Sequence, residues 1–198
     1  LSIHGRVEHA LAVRRTGRPR LIASGVVDDP QYFTAAGLGF EAEVAAQFNQ
    51  LTSRGFARYV TVAADLWRRY RAEDCVIECD GQRLAARAFT LVVANSDQYG
   101  NNAVIAPGAR VDDGLLDLTV VPPVNLLRAL PMLVKLFTGS LGSARNLIRR
   151  QATRFVVVRP APGLIHADGE THSAGGRVEF TIRPRSLRIL APATVTGR

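Results

Sequence analysis

Three short segments hold the residues whose types and spacing could do chemistry. In Asp168-Gly169-Glu170 two carboxylates stand one residue apart, so one could take the proton of a hydroxyl while the other faces a metal-bound phosphate. The same pattern is also an ordinary turn between an apolar strand at Leu164–Ile165 and a strand at Arg177–Ile182, and Asp80-Gly81-Gln82 supplies such a turn elsewhere in the chain. The second segment, Arg110-Val111-Asp112-Asp113-Gly114-Leu115-Leu116-Asp117, gathers carboxylates and loop carbonyls, the oxygen donors that a hard cation such as Mg²⁺ takes. A solvated Asp-Asp-Gly turn has the same composition. The third is Gly37-Leu38-Gly39 with Glu41, where missing side chains let the backbone approach a partner or turn sharply. A tight connection needs the same residues.

The elements that must position these segments read mostly as strands. Tyr32–Ala36 is strand-like and runs into the glycines. Cys75–Cys79 and Gln82–Ala86 flank Asp80-Gly81, the strongest short hairpin signal, because both central positions of a type I′ turn need positive φ. Ala88–Ala94 is a continuous apolar run, as expected of a strand covered on both faces, and a loop rich in Asn and Gly follows at Asn95–Asn102. Leu115–Val121, Phe155–Val158, Leu164–Ala167, Arg177–Ile182 and Ser186–Leu190 continue the strand pattern.

Apolar residues at helical spacing predict helices over Glu41–Gln50 and Arg54–Arg71, and an apolar helix over Asn125–Phe137, capped by Asn125 and kinked at Pro131. That last helix, with Leu126, Leu127, Leu130, Leu133 and Leu136, suits either a core position or contact with acyl chains. Strands at hairpin spacing, without regular strand-helix alternation, predict a mainly β (α+β) fold: an antiparallel β-sandwich with two or three peripheral helices.

The chain has 198 residues, 47% of them hydrophobic, enough for one well-buried core. Lys and Arg number 25 against 17 Asp and Glu, so anionic partners are favoured: phosphates, acidic headgroups or nucleic acid. Nucleic-acid binding rests on that charge alone, with no aromatic-rich strand motif or recognition helix beside it, and is not expected. No apolar run approaches the roughly 20 residues of a membrane span, and a cytoplasmic protein, peripheral at the inner membrane surface, is expected. Cys75 and Cys79 are read as a buried or half-buried pair of free thiols. The basic stretch before Leu21 is helix-like, with Val7, Ala10, Leu11 and Arg14 at helical spacing, but it has little apolar surface of its own and reads as part of something longer.

Taken together and in order, four segments resemble the second domain of the diacylglycerol kinase and sphingosine kinase type of lipid kinase, particularly its small soluble bacterial members. They are Tyr32-Phe33-Thr34-Ala35-Ala36-Gly37-Leu38-Gly39-Phe40-Glu41-Ala42-Glu43-Val44, Leu91–Ser96 with Tyr99-Gly100, Ile105–Ala109 followed by Asp113–Asp117, and Asp168-Gly169-Glu170. The resemblance implies an ATP-dependent enzyme that phosphorylates the hydroxyl of a membrane lipid such as diacylglycerol. It divides the chain into residues 1–20, the tail of an amino-terminal nucleotide-binding domain, and 21–198, the sandwich. The family's Gly-Gly-Asp-Gly-Thr motif is not found in this sequence, so ATP would be shared with that other domain and the chain alone would be inactive.

Residue by residue, the resemblance makes Asp168 the general base and has Glu170 position metal and phosphate. Asn95, Gly37 and Gly39 would shape the nucleotide cleft, and Asp113, with the carbonyls of Arg110 and Leu115, would hold a structural Mg²⁺. The partners implied are the lipid substrate and ATP, with a homodimer left open. Two positions depart from the pattern: Ile22-Ala23-Ser24-Gly25 stands where the family has Ile-Asp-x-Gly, and Glu41-Ala42 where it prefers Asp-Ala. The first departure permits an alternative, a non-catalytic lipid-binding or regulatory module of the same fold.

Overall fold

The computed structural model describes residues 7–51, 55–100, 102–144 and 146–192. Helix α1 (Val7–Thr16) precedes strands β1 (Arg18–Val27), β2 (Gln31–Tyr32) and β3 (Ala35–Gly39), then helices α2 (Phe40–Asn49) and α3 (Phe56–Arg69). Strands β4 (Glu73–Cys79), β5 (Gln82–Ala88), β6 (Thr90–Ala94), β7 (Gln98–Gly100), β8 (Ala103–Val104) and β9 (Leu116–Val121) lead to helix α4 (Leu126–Phe137). A single 3-10 turn follows at Leu141–Ser143, and the chain closes with β10 (Ile148–Ala152), β11 (Arg154–Val158), β12 (Gly163–Ala167), β13 (Glu170–Ala174) and β14 (Arg177–Ala191).

Alternation along the strands decides the architecture. Two six-stranded sheets, ordered β2-β1-β14-β11-β4-β5 and β10-β9-β6-β3-β12-β13, face each other with every neighbour antiparallel. Every second residue points inward: Val27, Ile77, Phe155, Val157, Val178 and Phe180 from the first sheet meet Leu38, Leu91, Val93, Leu116, Leu118 and Ile165 from the second. The run over β6 is apolar on both faces because Val92 and Ala94, on its outer side, join Ala35, Ile105, Ala106 and Leu141 in a second small core, against which Leu136 of α4 packs.

On that same outer side α2 lies against β3, β12 and β13, and α3 packs on α2. Phe40 stacks on Phe89 at 4.6 Å between centroids, with the rings of Trp67 and Tyr70 edge-on around them. Tyr32 lies over Gly25, its partner across β1 and β2, where any side chain would collide with the ring.

The β-sandwich is as expected, and Asp80 and Gly81, at φ 48° and 75°, form the expected hairpin turn. Cys75 is buried and Cys79 half-buried, both free. Helix α1 falls on the helix-like opening stretch, α2, α3 and α4 fall on the three other predicted helices, and α4 contains Pro131. Two details differ. The runs Arg177–Ile182 and Ser186–Leu190 are one long strand, irregular where Arg185 adopts φ 55° opposite the bulge between Ile22 and Ser24. The strand that follows Asp168-Gly169 is β13, whereas Arg177–Ile182 belongs to the other sheet. The Leu1–Arg6 part of the basic opening, the helix start at Arg54 and the loop residue Asn101 lie outside the described residues. No helix among the described residues is long and apolar enough to cross a membrane.

Candidate active site

Strands β12 and β13 pair up to Ala167 and Glu170, which leaves Asp168 and Gly169 as a two-residue turn, at φ 49° and 89°. Unlike the turn at Asp80, this one is tied into the body of the sandwich. Asp168 Oδ2 accepts the N–H of Phe33 at 2.7 Å. Its Oδ1 accepts the N–H of Thr34 at 2.9 Å, the N–H of Ala35 at 3.1 Å and the Thr34 hydroxyl. The Asp168 N–H donates to the Ala35 carbonyl at 2.9 Å, and Asn49 Nδ2 donates to the Gly169 carbonyl at 2.9 Å. An ionised carboxylate offers about four lone-pair sites, and four donors already meet this one. Glu170, one residue beyond the turn, is exposed and has no side-chain hydrogen bond among the described residues. The turn thus carries one carboxylate engaged in building the site and one that is free.

The bend that Asp168 holds, Phe33–Ala35 between β2 and β3, reaches the other predicted residues through a continuous path of hydrogen bonds. The Thr34 carbonyl accepts the N–H groups of Asn95 and Ser96 at 2.8 and 3.1 Å. Asn95 Nδ2 donates to the carbonyls of Phe33 and Ala23 at 2.9 and 3.0 Å, while its buried Oδ1 has no partner. The Ala23 N–H donates to the Val111 carbonyl at 2.7 Å, which brings in the acidic loop. There Asp112 pairs with Arg20 and Arg110, and Asp113 Oδ1 accepts the Leu115 N–H at 2.9 Å. Asp168, Glu170, Asn95, Arg110, Asp113 and Leu115, scattered over the sequence, therefore share one end of the sandwich. Ala23, at the first departing position, is buried inside this path.

The donor set at the loop decides what cation it suits. Among the described residues no group of three or more His, Cys, Asp or Glu side chains comes together to hold a metal. Asp113 contributes one carboxylate oxygen without a protein partner among the described residues. Mg²⁺ keeps several of its waters and is content with one or two carboxylates, so this set fits a largely hydrated Mg²⁺ and not a closed cage. Asp117 is buried beside the loop. Gln151 Nε2 donates to its Oδ1 at 3.1 Å, its Oδ2 has no partner, and burial raises its carboxyl above the usual range.

Gly37 and Gly39 do not join this end. A Cβ on Gly37 would run into the Glu41 carboxylate and the Leu91 carbonyl. One on Gly39, at φ 98°, would come within 2.8 Å of the Phe89 carbonyl. The space before both glycines is filled by the chain itself, so packing alone accounts for them. What fills the space before Gly37 is the Glu41 carboxylate, part of a polar group whose other members the sequence did not reveal. Glu41 Oε1 lies 2.9 Å from His166 Nε2, and the Tyr99 hydroxyl donates to Glu41 Oε2. His166 is buried with Nδ1 unpartnered, and burial next to Glu41 raises the Tyr99 phenol. The only signal in the sequence was the glutamate itself, one methylene longer than the aspartate of the resemblance and long enough to span Gly37.

Comparison with known proteins shows the family of the chain. Residues 34–191 match the family described as the YegS C-terminal NAD kinase beta sandwich-like domain. A probable lipid kinase, YegS-like, from Pseudomonas fluorescens is 30% identical over 177 residues, covering 87% of this chain and 58% of that protein. Its counterpart in Pseudomonas aeruginosa strain UCBPP-PA14 is 28% identical over 183 residues, covering 90% and 58%. Among solved structures, a putative diacylglycerol kinase from Bacillus anthracis superposes with a TM-score of 0.65 at 18% identity, over 89% of this chain and 58% of that one. The chain thus spans a little under three fifths of the length of these relatives. It belongs to the YegS carboxy-terminal family of NAD kinase-like β-sandwich domains, the family of the probable lipid kinases.

Proposed function

We propose that this chain is the acceptor-side lobe of an ATP-dependent lipid kinase, with residues 21–198 as the sandwich domain and 1–20 leading from a nucleotide-binding domain like the one its relatives' extra length can accommodate. The substrate is the hydroxyl of a membrane lipid such as diacylglycerol. Phosphoryl transfer asks for positioning and charge neutralisation more than covalent chemistry. The observation that carries the reading is the welded turn: Asp168 fixes the bend at Phe33–Ala35 with both oxygens and so presents the unengaged carboxylate of Glu170 at the same end as the Asp113 loop.

In this reading Glu170 takes the proton from the attacking hydroxyl as the new O–P bond forms, and Asp168 is a positioning residue that would have to give up a donor before it could accept a proton. That division reverses the roles expected from the resemblance. Asp113, with the Arg110 and Leu115 carbonyls, would hold Mg²⁺, and the ion would supply positive charge at this loop for an anionic phosphate. Asn95 fixes the bend against Ala23 and keeps Oδ1 for an incoming donor.

The test is a comparison of Glu170→Gln and Asp168→Asn in a protein that joins this chain to a nucleotide-binding half. The reading requires Glu170→Gln to lose turnover while folding normally. The 198-residue chain alone should show no ATP-dependent lipid phosphorylation. One observation favours a second reading, a non-catalytic lipid-binding module: Ala23, buried in the hydrogen-bond path, lacks the carboxylate of the kinase pattern. Lipid binding with no phosphorylation in the joined protein would select it.

A further inference from the structure

We propose that the outward stripe of α4 docks this domain on an anionic lipid bilayer. Leu127, Leu130 and Val134 follow one another at i, i+3 and i+7, with Leu133 alongside. Leu127 is 85% exposed, and the others lie between 50% and 64%. The helix is held from its opposite side: Leu136 packs into the small core over β3 and β6, and Lys135 donates to Ser143 Oγ at 3.0 Å. Such a helix is apolar on two sides, and the sandwich covers only one of them. A contiguous apolar patch of this kind marks an interaction surface.

The surrounding charge selects the occupant. The helix itself carries Arg128 and Lys135 and no Asp or Glu, and the Arg149 guanidinium lies against Gly142 in the turn that supports it. Arg128 is exposed beside the stripe itself. An apolar stripe flanked by cations and free of carboxylates matches the boundary between acyl chains and anionic headgroups, where an interfacial helix buries its apolar face about 5–10 Å deep. Ala35, whose N–H meets Asp168, belongs to the small core that supports α4. Docking by this stripe therefore fixes the acidic turn relative to the membrane surface. The inference rests on the lipid-directed reading only for its biological sense, since the surface argument uses no catalytic residue.

The test is sedimentation of the 198-residue chain with phosphatidylcholine vesicles, with and without phosphatidylglycerol, in the absence of ATP and of any acceptor lipid. The parent should bind vesicles that contain phosphatidylglycerol. The exposed-residue variant Leu127→Glu/Leu130→Glu/Val134→Glu, shown to be folded by circular dichroism, should bind them at least about tenfold more weakly. Arg128→Glu should lose part of the preference for phosphatidylglycerol. Equal binding by parent and triple variant, or no binding by the parent, overturns the proposal. So does a parent dimer in size-exclusion chromatography that the triple variant abolishes, since the stripe would then belong to a second copy. Failure of phosphoryl transfer in the joined protein would leave all of these results untouched, so the two readings fail separately.

Discussion

Replacing Asp168 separates building the site from using it. The Ala35 N–H is buried, and leaving it without an acceptor costs about 1–3 kcal/mol. The bonds from Phe33 and Thr34 sit at a wetter bend, where water can replace the carboxylate, and each contributes about 0.5–1.5 kcal/mol. Asp168 also adopts φ 49°, a left-handed conformation that costs Ala about 1–2 kcal/mol. Asp168→Ala should therefore lose roughly 3–8 kcal/mol, at about 2–4 °C of melting temperature per kcal/mol for a chain of this size.

Asparagine tolerates the left-handed turn and keeps one acceptor oxygen, but it turns an amide N–H toward the Phe33 N–H. Asp168→Asn should lose roughly 1–3 kcal/mol. Glu170→Gln, at an exposed position without hydrogen bonds, should stay within about 0.5 kcal/mol of the parent. Thermal unfolding followed by circular dichroism reads all three. An Asp168→Ala variant as stable as the parent, or a Glu170→Gln variant as damaged as Asp168→Ala, would refute the assignment of the first carboxylate to construction.

Other consequences are independent of that one. Gly37→Ala forces a methyl against the Leu91 carbonyl as well as the Glu41 side chain, and should cost about 1–3 kcal/mol or more in urea unfolding; an unchanged midpoint would show that Glu41 can move aside. Burial raises all four tyrosines, Tyr32, Tyr59, Tyr70 and Tyr99, above their ordinary value near 10. The folded state thus favours the neutral phenols, and their stabilisation is complete below about pH 10 and lost as pH rises beyond it. Tyrosinate absorbance should appear together with loss of circular dichroism; a tyrosine titrating near 10 in the folded protein would contradict this. Mg²⁺ should raise the melting temperature of the parent and leave that of Asp113→Ala unchanged, whereas an equal rise in both would remove the loop as the binding place.

The parts of the fold that were legible in the sequence are those where local chemistry and tertiary position agree. Asp80-Gly81 could be read because a type I′ turn demands positive φ at both positions, and β6 because a strand covered on two faces has no polar residues. Strand β10, Ile-Arg-Arg-Gln-Ala, went unread, since an edge strand leaves its backbone and alternate side chains in water. The polar edge strand β13, Glu-Thr-His-Ser-Ala, escaped for the same reason. Strand β14 was read as two because Pro184 and Arg185 interrupt its pattern, and only its pairing with β1 across the bulge shows one strand.

The acidic turn could be located, but not the division of labour within it. The donors that occupy Asp168 belong to backbone more than 130 positions away in the chain, and no local pattern announces them. The contact of Glu41 with Tyr99 and His166 was hidden likewise, since a glutamate in the first turn of a helix is already explained by the helix dipole.

The central claim concerns the free carboxylate at the turn, and one comparison reaches it directly. It is the rate of lipid phosphorylation by a protein joining this chain to a nucleotide-binding half, measured for the parent and for Glu170→Gln at saturating ATP and diacylglycerol. A general base is worth about 10²–10⁴-fold in rate, so kcat should fall by at least about a hundredfold, with the KM for ATP and the melting temperature unchanged. Turnover by Glu170→Gln within a fewfold of the parent would contradict the account.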